Sequence, residues 1–215
     1  MTRGEARALA VSALALCLSL GGCASDIVLG SSDNAVSLRP GDLEAGGLAL
    51  VTPSTITGQE QEKQALALIF SEVLALQRPK VKLATLAETL GAVNRDGLSD
   101  GYKRMYDDYR DTGLLSRDAL KLVGTATGMH YVAQLKLQKF SQYSKTRFAP
   151  LGIRIFETQI GEIRLFFQVW DVDSGAIAWE AMQERSLSRE TVSDRPIQQR
   201  ALFRAVAEDL VARLP

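Results

Sequence analysis

The sequence predicts an α/β (α+β) domain, a mixed sheet packed with helices, behind an export signal and a short linking segment. Three observations carry that expectation. Residues 163–182 read IRLFFQVWDVDSGAIAWEAM, two apolar arms rich in β-branched and aromatic residues joined by an acidic, glycine-ended turn; that is the composition of a β-hairpin. Thr57 with Glu60 and Thr85 with Glu88 each stand three residues apart ahead of an apolar helical period, the pattern of a capping box. An apolar run at 48–51, a helical period and a second apolar run at 81–84 follow one another, the order of a right-handed βαβ unit with parallel strands.

On the first hairpin arm Ile163, Leu165, Phe167 and Val169 share one face, while Arg164, Phe166, Gln168 and Trp170 share the other. Apolar bulk on both faces predicts a sheet covered on both sides, at least in part. Asp171 to Gly175 supply turn chemistry, because Asp and Ser side chains bond their own backbone and Gly accepts positive φ. Trp179 on the returning arm is expected in the core.

With 46% hydrophobic and 23% charged residues among 215, the chain can bury a substantial single core. Lys plus Arg and Asp plus Glu balance at 25 each, so no net field favours nucleic acid or an acidic partner. Arg3 and Arg7 precede an unbroken apolar run over 8–20, too short for a comfortable span, which ends in Leu20-Gly21-Gly22-Cys23; residues 1–22 read as a signal peptide. The ending resembles a bacterial lipobox. That resemblance implies a diacylated Cys23 as first mature residue, and Ala24 in place of Asp after it implies the outer membrane. Two signals of this kind suffice for stable anchoring. Cys17 falls in the removed segment, so the mature chain has no second cysteine for a disulfide.

Residues 23–47, the lipidated Cys and a Ser-, Gly-, Asp- and Asn-rich stretch without period, read as a flexible tether. Fully stretched it would reach roughly 80 Å, which favours work close to the outer membrane. The domain is expected over 48–215. Leu66, Ile69, Phe70, Val73 and Leu74 mark a helix stopped by Pro79; Leu86, Leu90 and Val93 mark the next. Tyr102, Met105, Tyr106 and Tyr109 form a stripe on a helix ending at Gly113, and Ser116 caps another that ends at Gly128. The tyrosines are expected to face the core with their hydroxyls at its rim. Residues 131–140 read as a strand with Tyr131, Ala133, Leu135 and Leu137 inward and Gln134, Lys136 and Gln138 in water. Residues 141–153 read as a loop whose Tyr143, Lys145, Arg147 and Phe148 are the candidate partner-binding residues. Strand pattern resumes over 153–159 and 185–191, and Asp194 with Pro196 opens a last helix buried through Leu202, Val206, Leu210 and Leu214.

No catalytic constellation is legible. His130 is the single histidine, with no Cys or second His to share a metal, and no nucleophile elbow, phosphate loop or cofactor fingerprint occurs. Asp171 and Asp173 ahead of Gly175 suggest a calcium loop only faintly, since Met182 stands where a bidentate Glu would be needed. The acidic pair Asp107-Asp108 fits a solvated helix face. A hydrolase would require a deep pocket gathering His130 with two carboxylates.

Gly128-Met129-His130-Tyr131-Val132 running to Phe140, and Gln168-Val169-Trp170-Asp171-Val172-Asp173-Ser174-Gly175 running to Trp179-Glu180, resemble motifs of a group of Gram-negative envelope lipoproteins. These share the LpoB, CsgG and TolB N-terminal-domain type of fold. The opening strand and helix over 48–77 match in order. The resemblance implies a two-layer, anticodon-binding-like domain acting by protein contact and not by catalysis. Its members imply an outer-membrane lipoprotein serving as a binding or assembly module, a subunit of an oligomeric secretion or surface-assembly complex, or an activator of a peptidoglycan synthase. A pore is disfavoured, because Arg154, Glu157, Glu162 and Arg164 interrupt the only segment of sufficient length.

Overall fold

The computed structural model describes residues 24–55, 60–148, 154–191 and 197–215. Among these, seven strands form one sheet: β1 (Ala24–Ala35), β2 (Leu48–Leu50), β3 (Ser54–Thr55), β4 (Leu83–Ala84), β5 (Tyr131–Phe148), β6 (Arg154–Asp171) and β7 (Ile177–Thr191). The strand order is β1-β7-β6-β5-β2-β4, with β3 pairing β5. β2 is parallel to both β4 and β5, whereas β5, β6, β7 and β1 form an antiparallel run. The helices are α1 (Asp42–Gly46), α2 (Glu60–Gln77), α3 (Leu86–Arg95), α4 (Ser99–Thr112), α5 (Arg117–Thr127) and α6 (Gln199–Ala212). The parallel β2-α2-β4 unit that the sequence predicts is present, with β4 reduced to two residues.

Alternation along the strands divides the apolar side chains between two cores. Leu48, Leu50, Ala133, Leu135, Leu165, Phe167 and Val169 face α2 and α6, meeting Leu66, Phe70, Val73, Leu202, Phe203 and Val206. Ala49, Val51, Val132 and Trp170 face α3, α4 and α5, meeting Val93, Tyr102, Met105, Tyr109, Leu120 and Val123. The sheet is therefore covered on both sides at its β2–β4 end. A third layer, α3 to α5, is added to the two that the family resemblance implies.

The helix ends follow their sequence signals. Thr85 accepts from the Glu88 backbone while the Glu88 carboxylate accepts from the Thr85 backbone, so α3 opens with a complete capping box. Gly113 and Gly128 close α4 and α5 in the left-handed region, at φ 74° and 70°. Tyr102 and Tyr109 of the tyrosine stripe point inward with their hydroxyls satisfied, while Tyr106 is half-buried. Tyr102 Oη accepts from the Thr52 backbone at 2.8 Å, and Tyr109 Oη donates to Gln168 Oε1 at 3.0 Å. Burial first, then the Glu180 charge, pushes the Tyr109 phenol up to about 12.

Four expectations change. Residues 24–47 are not a free tether: β1 pairs with β7 from Ala24 opposite Arg189 to Ala35 opposite Trp179. The β1 sequence lacks a pattern of its own, and partners from other elements hold it. The Arg185 guanidinium bonds Asp26 at 2.6 and 2.9 Å, Arg213 bonds Ser31 Oγ at 2.6 Å, and the Ser25 and Ser188 hydroxyls meet at 2.6 Å. Residues 141–148 are not a loop but the outer half of β5; 149–153 lie outside the described residues. The face of β5 expected in water is closed near its start, where Gln134 is 2% exposed and its amide donates to the Leu135 carbonyl at 2.9 Å. Finally, α6 starts at Gln199 with Gln198 as a cap that makes no side-chain bond, and Asp194, Pro196 and Thr57 lie outside the described residues.

Trp179 is 1% exposed, with its ring edge-on to Phe167 at 5.4 Å, and Phe167 in turn packs edge-on against Phe70 at 5.5 Å. Trp179→Ala removes one end of this stack and is expected to cost ~3–5 kcal/mol. Urea unfolding checks it against Leu76→Ala on α2, which is 73% exposed and should stay within about 0.5 kcal/mol.

Candidate functional site on the uncovered sheet face

Helices α3 to α5 cover their side of the sheet only as far as Val132 and Trp170. Tyr109, bonded to Gln168 and lying under Lys136 Nζ at 5.8 Å, marks the border. Beyond it β5, β6 and β7 continue, and a register shift between Leu137 and Lys139 changes which residues face which way. With Gln138 as the extra residue, Phe140 turns inward onto Phe203, ring to ring at 5.8 Å. Lys139, Ser141, Tyr143 and Lys145 turn to the uncovered side.

Across that side the rungs run Lys139–Arg164–Glu184, Ser141–Glu162–Ser186, Tyr143–Ile160–Ser188 and Lys145–Thr158–Glu190. β1 adds Ile27 opposite Ser186. Lys139 Nζ lies 2.6 Å from Glu162, and Arg164 donates to Glu184 from Nε at 2.9 Å and Nη2 at 2.6 Å. Tyr143 Oη donates to Glu162 at 3.0 Å. The Lys139 and Tyr143 bonds hold the Glu162 carboxyl below its usual range. The bond to Glu162 raises Lys139 and Tyr143 in turn. Pairs this exposed add little to stability; their effect is to hold charges in fixed positions. Between them Ile160, Phe166 and Met182 are half-buried and belong to neither core, while Tyr143 is 40% and Ile27 52% exposed.

Of the sequence candidates, Tyr143 and Lys145 come together here, with Lys145 Nζ 5.8 Å from the Tyr143 ring centroid. Arg147 and Phe148 occupy the last rungs of β5, opposite Phe156 and Arg154. Cys23 lies outside the described residues. Sequence reasoning misses Lys139, Glu162, Arg164 and Glu184 as a set. The period-two spacing of the charges at 162 and 164 on β6 is the available signal; without the register it reads only as an interruption of apolar pattern.

A second feature surrounds His130. Its Nε2 meets Asp171 Oδ2 at 3.0 Å and its Nδ1 lies 3.5 Å from Asp173 Oδ2. His130 and Asp173 border an open cleft of about 800 Å³ that Asp42, Lys121, Thr125 and Tyr131 also line. The histidine thus gathers two carboxylates, as a hydrolase would require. Nε2 is taken up by Asp171, however, and that carboxylate, which would orient a catalytic base, is itself fixed in a turn. Asp171 Oδ1 accepts from the Ser174 backbone at 2.7 Å and hydroxyl at 2.9 Å, and the Val172 backbone donates to the His130 carbonyl at 3.0 Å. The cluster clips the β6–β7 turn to the start of β5. Gly46 completes the contact: a Cβ there would lie 2.9 Å from the His130 Cβ. Among the described residues no group of three or more His, Cys, Asp and Glu is placed to hold a metal ion.

The geometry is that of an α/β domain presenting a broad sheet surface with fixed charges, and not a pocket closed around a small molecule. No family model and no curated protein matches the chain. Solved structures similar to it include the PelC dodecamer from Paraburkholderia phytofirmans, at 14% identity and TM-score 0.43, covering 90% of this chain and 94% of that one. The lipoprotein GNA1162 from Neisseria meningitidis aligns at 12% identity and TM-score 0.42, covering 78% and 96%. The LpoB C-terminal domain from Escherichia coli aligns at 17% identity and TM-score 0.37, covering 65% and 82%. Likenesses of this size assign neither a family nor a function.

Burial raises the Asp171 carboxyl, but the Ser174 backbone and hydroxyl bonds together with His130 outweigh it and hold the group below its usual 3.8. A depressed carboxyl pKa stabilises the fold above the unfolded value of about 3.9, and that contribution is lost as pH falls through the folded value. Asp171→Asn should therefore destabilise the protein near pH 6 and destabilise it progressively less below about pH 4. Urea midpoints of parent and variant across this range test the sign.

Proposed function

We propose that the protein is a lipoprotein of the outer membrane's periplasmic face, anchored through Cys23, that works as a non-catalytic binding or assembly module of the cell envelope. The observation that carries the reading is the uncovered face of β5, β6 and β7. Its fixed charges, Lys139, Glu162, Arg164 and Glu184, alternate with half-buried Ile160, Phe166 and Met182. A surface with an apolar centre and placed charges suits a protein partner, because burial supplies the driving force and the charges set register. The lipobox at 20–23 supports the anchor. Tyr143, Lys145, Arg147 and Phe148 extend the same strand toward the outer end of β5.

A self-assembling form of this reading is favoured by β1. It is an edge strand, and Ile27, Val28 and Leu29 are exposed in succession around a register shift between Val28 and Gly30. Such an edge is a template for strand addition. The chain would then be a subunit of a homo-oligomeric secretion or surface-assembly complex; the size of the purified lipoprotein in solution separates this from a module that binds a different protein. A peptidoglycan-synthase activator is disfavoured by reach, since Ala24 already lies in the sheet and the chain from there to Ala35 is taken up by pairing. A hydrolase centred on His130 would lose activity in His130→Gln, whereas a structural clip would lose stability with no catalytic readout to lose.

Cys23→Ser is expected to move the protein from the membrane to the soluble fraction; unchanged membrane retention would overturn the anchor. Photocrosslinkers at Tyr143 and Ile160 are expected to capture an outer-membrane or periplasmic protein, while one at Leu76 on α2 captures none. Equal capture from all three positions, or dominant capture of an inner-membrane synthase from the sheet face, would sink the proposed role.

A further inference from the structure

We propose that β1 is a two-fold interface: its outer edge pairs antiparallel with the same edge of a second copy of this chain, in a register centred between Val28 and Leu29. The inference rests on the self-assembling form of the reading above and deepens it, naming the partner as an identical chain and the contact as strand on strand. β1 ends the sheet, and among the described residues no strand pairs its outer side. Lysine, proline or shortness commonly blunts such an edge. β1 runs from Ala24 to Ala35 with neither Lys nor Pro, and Ile27, Val28 and Leu29 at its middle are 52%, 51% and 52% exposed.

The opposite edge of the sheet, β4, has only the two residues Leu83 and Ala84. It cannot receive β1 along its length, so copies cannot extend the sheet head to tail through these edges. Like-with-like pairing of β1 is left, and that arrangement closes as a two-fold dimer. The register shift between Val28 and Gly30 then limits how the copies align. Asp26 and Ser31 lie on the α6 side, where they bond Arg185 and Arg213. Ile27 and Gly30 lie on the uncovered side, opposite Ser186 and Glu184. Because the shift exchanges faces, a residue before it shares a face with one after it when one number is odd and the other even.

The register centred between Val28 and Leu29 meets this condition: Asp26 opposes Ser31 of the second copy, Ile27 opposes Gly30, and Val28 opposes Leu29. Sliding by two residues one way sets Asp26 against Asp33, like charge on like charge. Sliding the other way sets Ile27 against Val28, which point to opposite faces of the strand. In the favoured register the second copy's Asp26 comes beside Ser31 and so beside the Arg213 guanidinium that donates to it at 2.6 Å. Arg213 already lies 3.7 Å from Asp33 on the same side. The two-fold axis repeats the contact, so two aspartate–arginine attractions flank an apolar centre of Ile27, Val28 and Leu29 from each copy. Burial of that centre drives pairing, and the flanking charges fix its register.

The test uses the full lipidated chain in detergent, with a nitroxide label on Ser25→Cys or on Asn34→Cys. Double electron–electron resonance is expected to read about 24 Å between the two labels at 25 and about 37 Å between those at 34, from offsets of seven and eleven residues at ~3.4 Å each. Leu29→Lys, at an exposed position, is expected to raise the dimer dissociation constant about tenfold in sedimentation equilibrium with the circular dichroism spectrum unchanged. Separations that do not widen from 25 to 34 would overturn the antiparallel register. A dimer that Leu29→Lys leaves intact would place the contact elsewhere and overturn the interface. A monomer that still crosslinks from Ile160 to an envelope protein would overturn the β1 pairing and leave the binding-module reading standing; a monomer that crosslinks to nothing from that face would overturn both.

Discussion

The one extra residue in β5, between Leu137 and Lys139, decides what the protein can present. A strand changes face at every residue, so an insertion of one exchanges the faces of everything that follows. Before the bulge the odd-numbered residues Tyr131, Ala133, Leu135 and Leu137 enter the larger core. After it Phe140 takes that role, and the odd-numbered Lys139, Tyr143 and Lys145 are released to the other side. Without the bulge a lysine would lie where Phe140 meets Phe203, beneath α6, at the cost of a buried charge. Core closure under α6 and charge display on the opposite face thus depend on the same local irregularity.

The two ends of the sheet are built to different specifications. At the β2–β4 end, helices cover both faces, glycines at 46 and 124 allow backbone and side chains to approach closely, and the His130–Asp171 clip fixes the turn. At the other end, among the described residues, only α6 covers the sheet. There Gln142 Nε2 donates to the Ile197 carbonyl at 2.5 Å, Leu202 fills the space over Gly161, and Arg185 joins Asp209 at 2.7 Å and Asp26 at 2.6 Å. The exposed face is therefore backed by a packed helix, so its charges are mounted on a supported surface.

Much of this was legible in the sequence wherever local chemistry decides local structure. The capping box at Thr85 and Glu88, the closing glycines 113 and 128, the tyrosine stripe and the 163–182 hairpin each declare themselves through spacing alone. β1 does not, because an edge strand with solvent over most of both sides needs no alternation; its order comes from β7, Arg185 and Arg213. The outer half of β5 was hidden by the bulge, which breaks the period that identifies a strand, and by polar residues that resemble a loop when their partners on β6 are not in view. The candidate site was half legible for the same reason. Tyr143 and Lys145 stand out as a basic and aromatic pair, but Glu162, Arg164 and Glu184 join them only through cross-strand register.

Register also governs how the domain bears load. Hydrogen bonds between antiparallel strands lie perpendicular to them, and β1 is paired along β7 from Ala24 to Ala35. A pull transmitted through the residue before Ala24 acts along the strand axis, so the rungs are strained together in shear and not opened one after another. The side-chain links from Arg185 and Arg213 carry the same force into β7 and α6. A force applied at that end is thereby distributed over the body of the sheet, and the strand least distinctive in sequence is the one that bears it.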